Sequence, residues 1–292
     1  KWSGIVPSID HSMNVTKLAL EACRENGIDM VFTTAWGDNG AEASIMTILP
    51  VLALFAEISY SDADVDQKVS DKLKALTGYD TADFMTLCSL NRTTQTEPIV
   101  PHNNPAKYLF FQDPLMGLFD YHVLSSFPAH YAACSKTLDA LASRGEKLSY
   151  VFDTLAKLSS VLELKCDLGV RLKAAYDADD KPALLQLADE VIPELLARFD
   201  TYYEAFRKQW YKESRPGGFD VQDLRFGGLK QRILNAQRTV RAYVNGEIEA
   251  VSELKVPRLP FDCRTSDEGC DINVDCNLWD YISTPNVNSK VR

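Results

Sequence analysis

At 292 residues, with 46% hydrophobic side chains, the chain can fill a large core, which excludes a disordered segment or a small disulfide scaffold. Its 31 basic against 41 acidic residues give a net charge of -10, which repels phosphate backbones and anionic lipid and argues against nucleic acid as a partner. The best apolar run, residues 45–58, falls short of the ~20 residues a membrane helix needs and carries Pro50 and Glu57, so no membrane association is expected.

The first sixty residues alternate. Residues 14–25 place Val15, Leu18, Ala19, Ala22 and Cys23 on one helical face, with Asn14 as a cap and Asn26-Gly27 as a left-handed stop. Residues 28–34 (IDMVFTT) are short, apolar and rich in β-branched side chains, which predicts a buried strand. That run empties into the turn Trp36-Gly37-Asp38-Asn39-Gly40, after which residues 41–58 read as a helix. Helix, strand, loop and helix in this order suit a parallel α/β fold, whose ligands sit beyond the carboxyl ends of the strands, where the WGDNG loop would lie.

From Asp64 onward the reading is α-helical. Residues 65–76 and 81–90 give short helices, and 91–114 a loop-rich stretch in which Pro98, Pro101, Pro105 and Pro114 forbid long ones. Long helices are expected at 129–143, 148–176, 182–212 and 221–245, where apolar residues recur three and four apart, and antiparallel packing follows. The polar tail beyond Pro257 holds an apolar cluster, Leu278, Trp279, Tyr281 and Ile282, that is expected to dock on the body.

The seven cysteines contain no CxxC pair, so reduced thiols are the default; Cys263, Cys270 and Cys276 cluster without a neighbouring histidine, a poor metal or disulfide signature. His11, His102, His122 and His130 show no metal-ligand spacing, and neither a phosphate loop nor a nucleophile motif is present. No metal and no cofactor are therefore expected.

The stretch 36–42 (WGDNGAE) is the most informative. An indole at a strand end is a flat apolar platform and the carboxylate of Asp38 an acceptor for paired hydroxyls, as a sugar pocket needs; the plainer alternative is that Asp38 and Asn39 form a turn and cap the next helix. Trp2 could face the same rim as Trp36, or simply pack in the core or on the surface. Residues 211–229 (YKESRPGGFDVQDLRFGGL), with Asp220, Asp223 and Arg225, read as an interhelical loop with an ordinary ion pair, or as a loop lending residues to an interface or pocket. The aromatic stretch 108–121 (YLFFQDPLMGLFDY) is either core or an association surface.

Taken together, KWSG and its following helix, FTTAWGDNGAEASIMTILPVLALFAEI, QDPLMGLFD and KESRPGGFDVQDLRFGGLKQRI resemble the family 20 glycoside hydrolases, and within them the bacterial exo-β-N-acetylglucosaminidases with an α-helical domain behind the barrel. The resemblance spans nearly the whole chain. It implies a mostly α chain: the C-terminal end of a (β/α)8 barrel at 1–60, followed by an α-helical domain at 61–292. The family's last strand would fall at about 29–34, its last helix at about 41–58, and residues 1–4 would end the seventh strand. A complete barrel takes about 250 residues, so only its last quarter is expected here, and the start at Lys1 rather than Met agrees with a missing segment.

The family releases terminal β-linked N-acetylglucosamine or N-acetylgalactosamine with retention, using the substrate's own acetamido oxygen as nucleophile. Its catalytic Asp-Glu pair ends the fourth strand, so no catalytic residue is expected in this chain, which should be inactive alone. What carries over is the Trp-x-acid motif: Trp36 would wall the pocket of the terminal sugar and Asp38 would meet its distal hydroxyls, although much of the family has Glu there. Trp2 resembles the aromatic near the acetamido group. The expected partners are an N-acetylhexosamine-terminated glycan and a second copy in a homodimer, and the expected compartment is the cytoplasm. The rival reading is a helical interaction or scaffold module in which the WGDNG loop is only a helix cap.

Overall fold

The computed structural model describes residues 4–37, 40–61, 64–93, 104–261 and 282–284. Helix α1 (Ile9–Glu25) is followed by an irregular segment, and a 3-10 turn (Ile45–Ile48) leads into α2 (Leu49–Tyr60). Then come α3 (Val65–Thr77), α4 (Thr81–Met85) with a 3-10 extension (Thr86–Asn91), α5 (Pro105–Phe111), and a 3-10 turn (Asp120–His122). The body is completed by α6 (Phe127–Ala142), α7 (Ser149–Lys165), α8 (Leu168–Asp177) and α9 (Lys181–Gln186), which a π turn (Leu187–Val191) joins to α10 (Ile192–Glu213). Last are α11 (Phe219–Val244) and α12 (Ser252–Lys255).

The helices form for the reasons their sequences give. Gly27, at φ +65, ends α1 as the Asn-Gly pair foretold, with Ile28 N–H donating to Cys23 O at 2.9 Å. A capping box between Asp80 and Asp83 starts α4, and proline in the first turn opens α2, α5, α6, α9 and α10, where its missing N–H costs no helical bond. Helix α6 lies along α7, and α7 packs on α10. Their apolar faces meet in one core that runs continuously from Ile5, Val6 and Ile9 to Leu254, with Phe110, Phe199, Tyr202, Phe206 and Phe226 as its aromatic centre.

Four sequence expectations are corrected. The predicted buried strand at 28–34 is an extended, unpaired segment whose Met30 and Phe32 are 85% and 84% exposed; among the described residues the one ladder contact is an isolated parallel bridge between Gln112 and Ser283. A strand needs a neighbour to pair with, and none of the described residues forms a ladder with it. The mostly helical architecture is thus as expected, whereas no barrel strand is formed among the described residues. The stretch 91–114 contains α5, because Pro105 starts that helix rather than breaking one, and all seven of its residues are buried. The run 148–176 splits into α7 and α8 at Cys166–Asp167, a break across which the apolar stripe continues in phase.

The supposed loop at 211–229 shrinks to the five residues between α10 and α11, turned by Gly218 at φ +94, and the rest belongs to those helices. Gly227 and Gly228 sit inside α11, where the second admits the tip of Ile282 at 3.1 Å from a would-be Cβ. Ile282 and Ser283 do dock on the body, through Ile282 against the core and Ser283 beside Gln112. Leu278, Trp279 and Tyr281 lie outside the described residues. The aromatic stretch 108–121 is core, with Tyr108, Leu109, Phe110, Phe111, Leu115 and Phe119 all buried.

Candidate functional site

Of the three residues expected to meet a sugar, the structure describes Trp36; Trp2 and Asp38 lie outside the described residues. Trp36 ends the extended segment and is 54% exposed, its indole N–H donating to Thr34 Oγ1 at 2.9 Å. It borders an open cleft of about 430 Å³ between the segment, α1 and α2, walled by His11, Thr16, Thr33, Val51 and Leu52. More than half of the residue is open to solvent at this concave rim.

Just beyond it the chain closes on itself, Ala41 N–H donating to Gly37 O at 3.0 Å, and then plunges into the core at Glu42. Lys107 Nζ from α5 stands 2.6 Å from Glu42 Oε2, and Arg225 Nη1 from α11 stands 3.3 Å from Oε1. The phenol of Tyr202 is pushed well above its ordinary pKa, by burial first and by the charge of Glu42 second. Ser44 Oγ donates to Glu213 Oε1 at 2.5 Å and Ile45 N–H to Glu213 Oε2 at 2.9 Å, so α10 holds the exit of the loop. Sequence reasoning missed Glu42. A glutamate beside Gly and Ala reads as solvated, and its cationic partners are remote in the chain.

A second polar nucleus lies under the QDPLMGLFD segment. Asp113 caps its own turn, accepting from Leu115 N–H at 2.9 Å and Met116 N–H at 3.0 Å, and pairs with Arg232. Asp120 accepts from Gln112 Nε2 and Arg258 Nε, each at 2.9 Å, although burial still raises its carboxyl above the usual range. Lys165, fully buried, donates to the carbonyls of Leu109 and Gln112 at 2.7 Å each, and burial lowers its ammonium to about 7. Every charged member here has a partner inside the fold, so the cluster knits helices together.

The described residues hold no grouping of His, Cys, Asp or Glu suited to a metal ion. Cys23, Cys88, Cys134 and Cys166 are free, and the Cys263, Cys270 and Cys276 cluster lies outside the described residues. No described helix is long and apolar enough to cross a membrane. The profile of the Glycoside Hydrolase 20C C-terminal domain matches residues 82–273, well over half of the chain. The chain belongs to this family.

As a glycoside hydrolase 20C C-terminal domain, it carries both the QDPLMGLFD nucleus and the PGGFDVQDLRFGGL helix inside the matched span, while Trp36 and its cleft precede it. The family part therefore supplies Lys107, Arg225 and Glu213, the side chains that grip the loop following Trp36. No curated protein matches the chain by sequence.

Proposed function

We propose that this chain is the C-terminal part of a β-N-acetylhexosaminidase, which releases terminal β-linked N-acetylglucosamine or N-acetylgalactosamine by substrate-assisted, retaining hydrolysis. The exposed indole of Trp36 on the rim of an open cleft carries the reading. In this reading Trp36 stacks on the apolar face of the terminal sugar, Asp38 accepts from its distal hydroxyls and Trp2 lines the acetamido side. The acid and base of the reaction come from barrel residues outside this sequence. Residues 1–60 complete that barrel, and residues 61–292 form the helical domain, which also makes the contacts of a homodimer in the cytoplasm.

Support for a covering barrel comes from what lies open. Val15 and Leu18 of α1, Met30 and Phe32 of the extended segment, and Leu52 of α2 are each exposed, more large apolar side chains than these elements need to show to water. Further strands pairing with 28–34 would bury them. The scaffold reading has no such use for Trp36.

The test is hydrolysis of chromogenic β-N-acetylglucosaminide and β-N-acetylgalactosaminide by the protein expressed from its complete gene. Turnover is expected, with the Trp36→Ala variant losing on the order of 10-fold or more in kcat/KM as the stacking surface goes. Absence of turnover on both substrates overturns the reading.

A further inference from the structure

Glu42 lies six residues beyond Trp36, at the point where the chain is tied to the helical body. Gly40 (φ +117) and Ala41 (φ +50) are both left-handed, a conformation alanine keeps only where its surroundings impose it. Those surroundings are in view. Gln222 Nε2 donates to Gly40 O at 3.2 Å, Gln209 Nε2 donates to Glu42 O at 3.4 Å, and a side chain at Gly40 would run into the Arg225 guanidinium. The carboxylate of Glu42, 1% exposed, is shared by Lys107, 0% exposed, and Arg225, 12% exposed. A buried carboxylate between two cations cannot be neutralised without leaving positive charge unpaired beneath the loop.

We propose that Glu42 is a positioning residue of the sugar subsite: its buried ion triad with Lys107 and Arg225 anchors the chain at residues 40–42, just beyond Trp36, so the helical domain sets sugar affinity without touching sugar. The inference rests on the sugar-binding reading above. The triad ties Glu42 to both α5 and α11, while Glu213 of α10 holds Ser44 and Ile45. Movement of any of these helices relative to the extended segment would therefore act on the rim of the cleft.

The experiment uses the protein expressed from its complete gene, with a chromogenic β-N-acetylglucosaminide as probe and urea unfolding alongside. Glu42→Gln keeps the shape and removes the charge; its KM should rise ~10-fold while kcat changes less than ~3-fold, the pattern of lost uniform binding. Glu42→Asp, which keeps the charge with shorter reach, should lie between wild type and Glu42→Gln and serves if the latter does not fold. The double variant Glu42→Gln/Lys107→Met should regain most of the stability lost by the single one, because a neutral buried pair is tolerated, yet keep the high KM. The surface variant Asp200→Asn, which removes the pair with Lys230, should leave KM at the wild-type value. An unchanged KM in folded Glu42→Gln, or a KM that returns with stability in the double variant, overturns the inference while the sugar reading stands. A wild type that turns over neither substrate overturns both.

Discussion

Lys107 Nζ lies 2.6 Å from Glu42 Oε2, with neither side chain reaching solvent, and this contact joins the loop behind Trp36 to the matched family domain. A pair of this kind contributes little net stability when intact, because both charges have left water, but breaking it strands one of them. Lys107→Met should therefore cost about 3–5 kcal/mol, the usual penalty for removing one partner of a buried pair. Urea unfolding of the variant beside wild type measures it. A loss within about 0.5 kcal/mol, as for an ordinary surface change, would mean that Arg225 alone satisfies the carboxylate.

Lys165 gives a pH signature. Its folded-state pKa, lowered to about 7 by burial, lies well below that of an exposed lysine, so between about pH 7 and pH 10.5 the unfolded chain binds more protons than the folded one. Stability contributed through this group must then rise with pH across that window, by up to about 1.4 kcal/mol per unit. Lys165→Met removes the rise and also takes the donor from the carbonyls of Leu109 and Gln112. Unfolding measured at pH 6.5, 8 and 9.5 should show wild type gaining on the variant as pH increases; parallel profiles would show that Lys165 stays charged throughout.

Two glycines in helices should respond with opposite signs. Gly227 in α11 is exposed and a Cβ there meets nothing, so Gly227→Ala should stabilise by about 0.5–1 kcal/mol through the smaller entropy of the unfolded chain. A Cβ at Gly169 in α8 would fall 2.6 Å from Asp120 Oδ2, and that carboxylate cannot swing aside while Gln112 and Arg258 hold it. Gly169→Ala should cost about 1–3 kcal/mol as overpacking. Thermal melting of both variants separates the cases; a stabilised Gly169→Ala would show the Asp120 cluster to be loose.

These sites also mark how far the sequence could be read. Helices such as α3, α6 and α11 were legible because one face is buried and one is wet, which writes a period of three to four into the chain. Helix α5 was not, since a helix buried all round carries no period and its opening Pro105 looked like a breaker. The extended segment 28–34 has the composition of a buried strand, but pairing depends on a neighbour that composition does not record. Trp36 was singled out from its place after that segment, and the structure sets it beside a cleft. Arg225 was marked as an ion-pairing residue, but its partner Glu42 and the third member Lys107 were not, because a buried charge is recognised by its partners, and partners are set by the tertiary fold.

The open apolar face allows a decisive contrast. Phe32 is 84% exposed, so in the 292-residue chain by itself Phe32→Glu removes no packing and should leave the melting temperature unchanged while lowering the binding of a hydrophobic dye. If, as proposed, a barrel covers this position in the protein expressed from its complete gene, a carboxylate introduced there should cost several kcal/mol or abolish folding. Parallel melts of both forms read the difference. If the substitution is harmless in both, Phe32 faces water in the whole protein and residues 28–34 are not a barrel strand; if it is harmful only in the longer form, the covering layer is real and Trp36 stands at its edge.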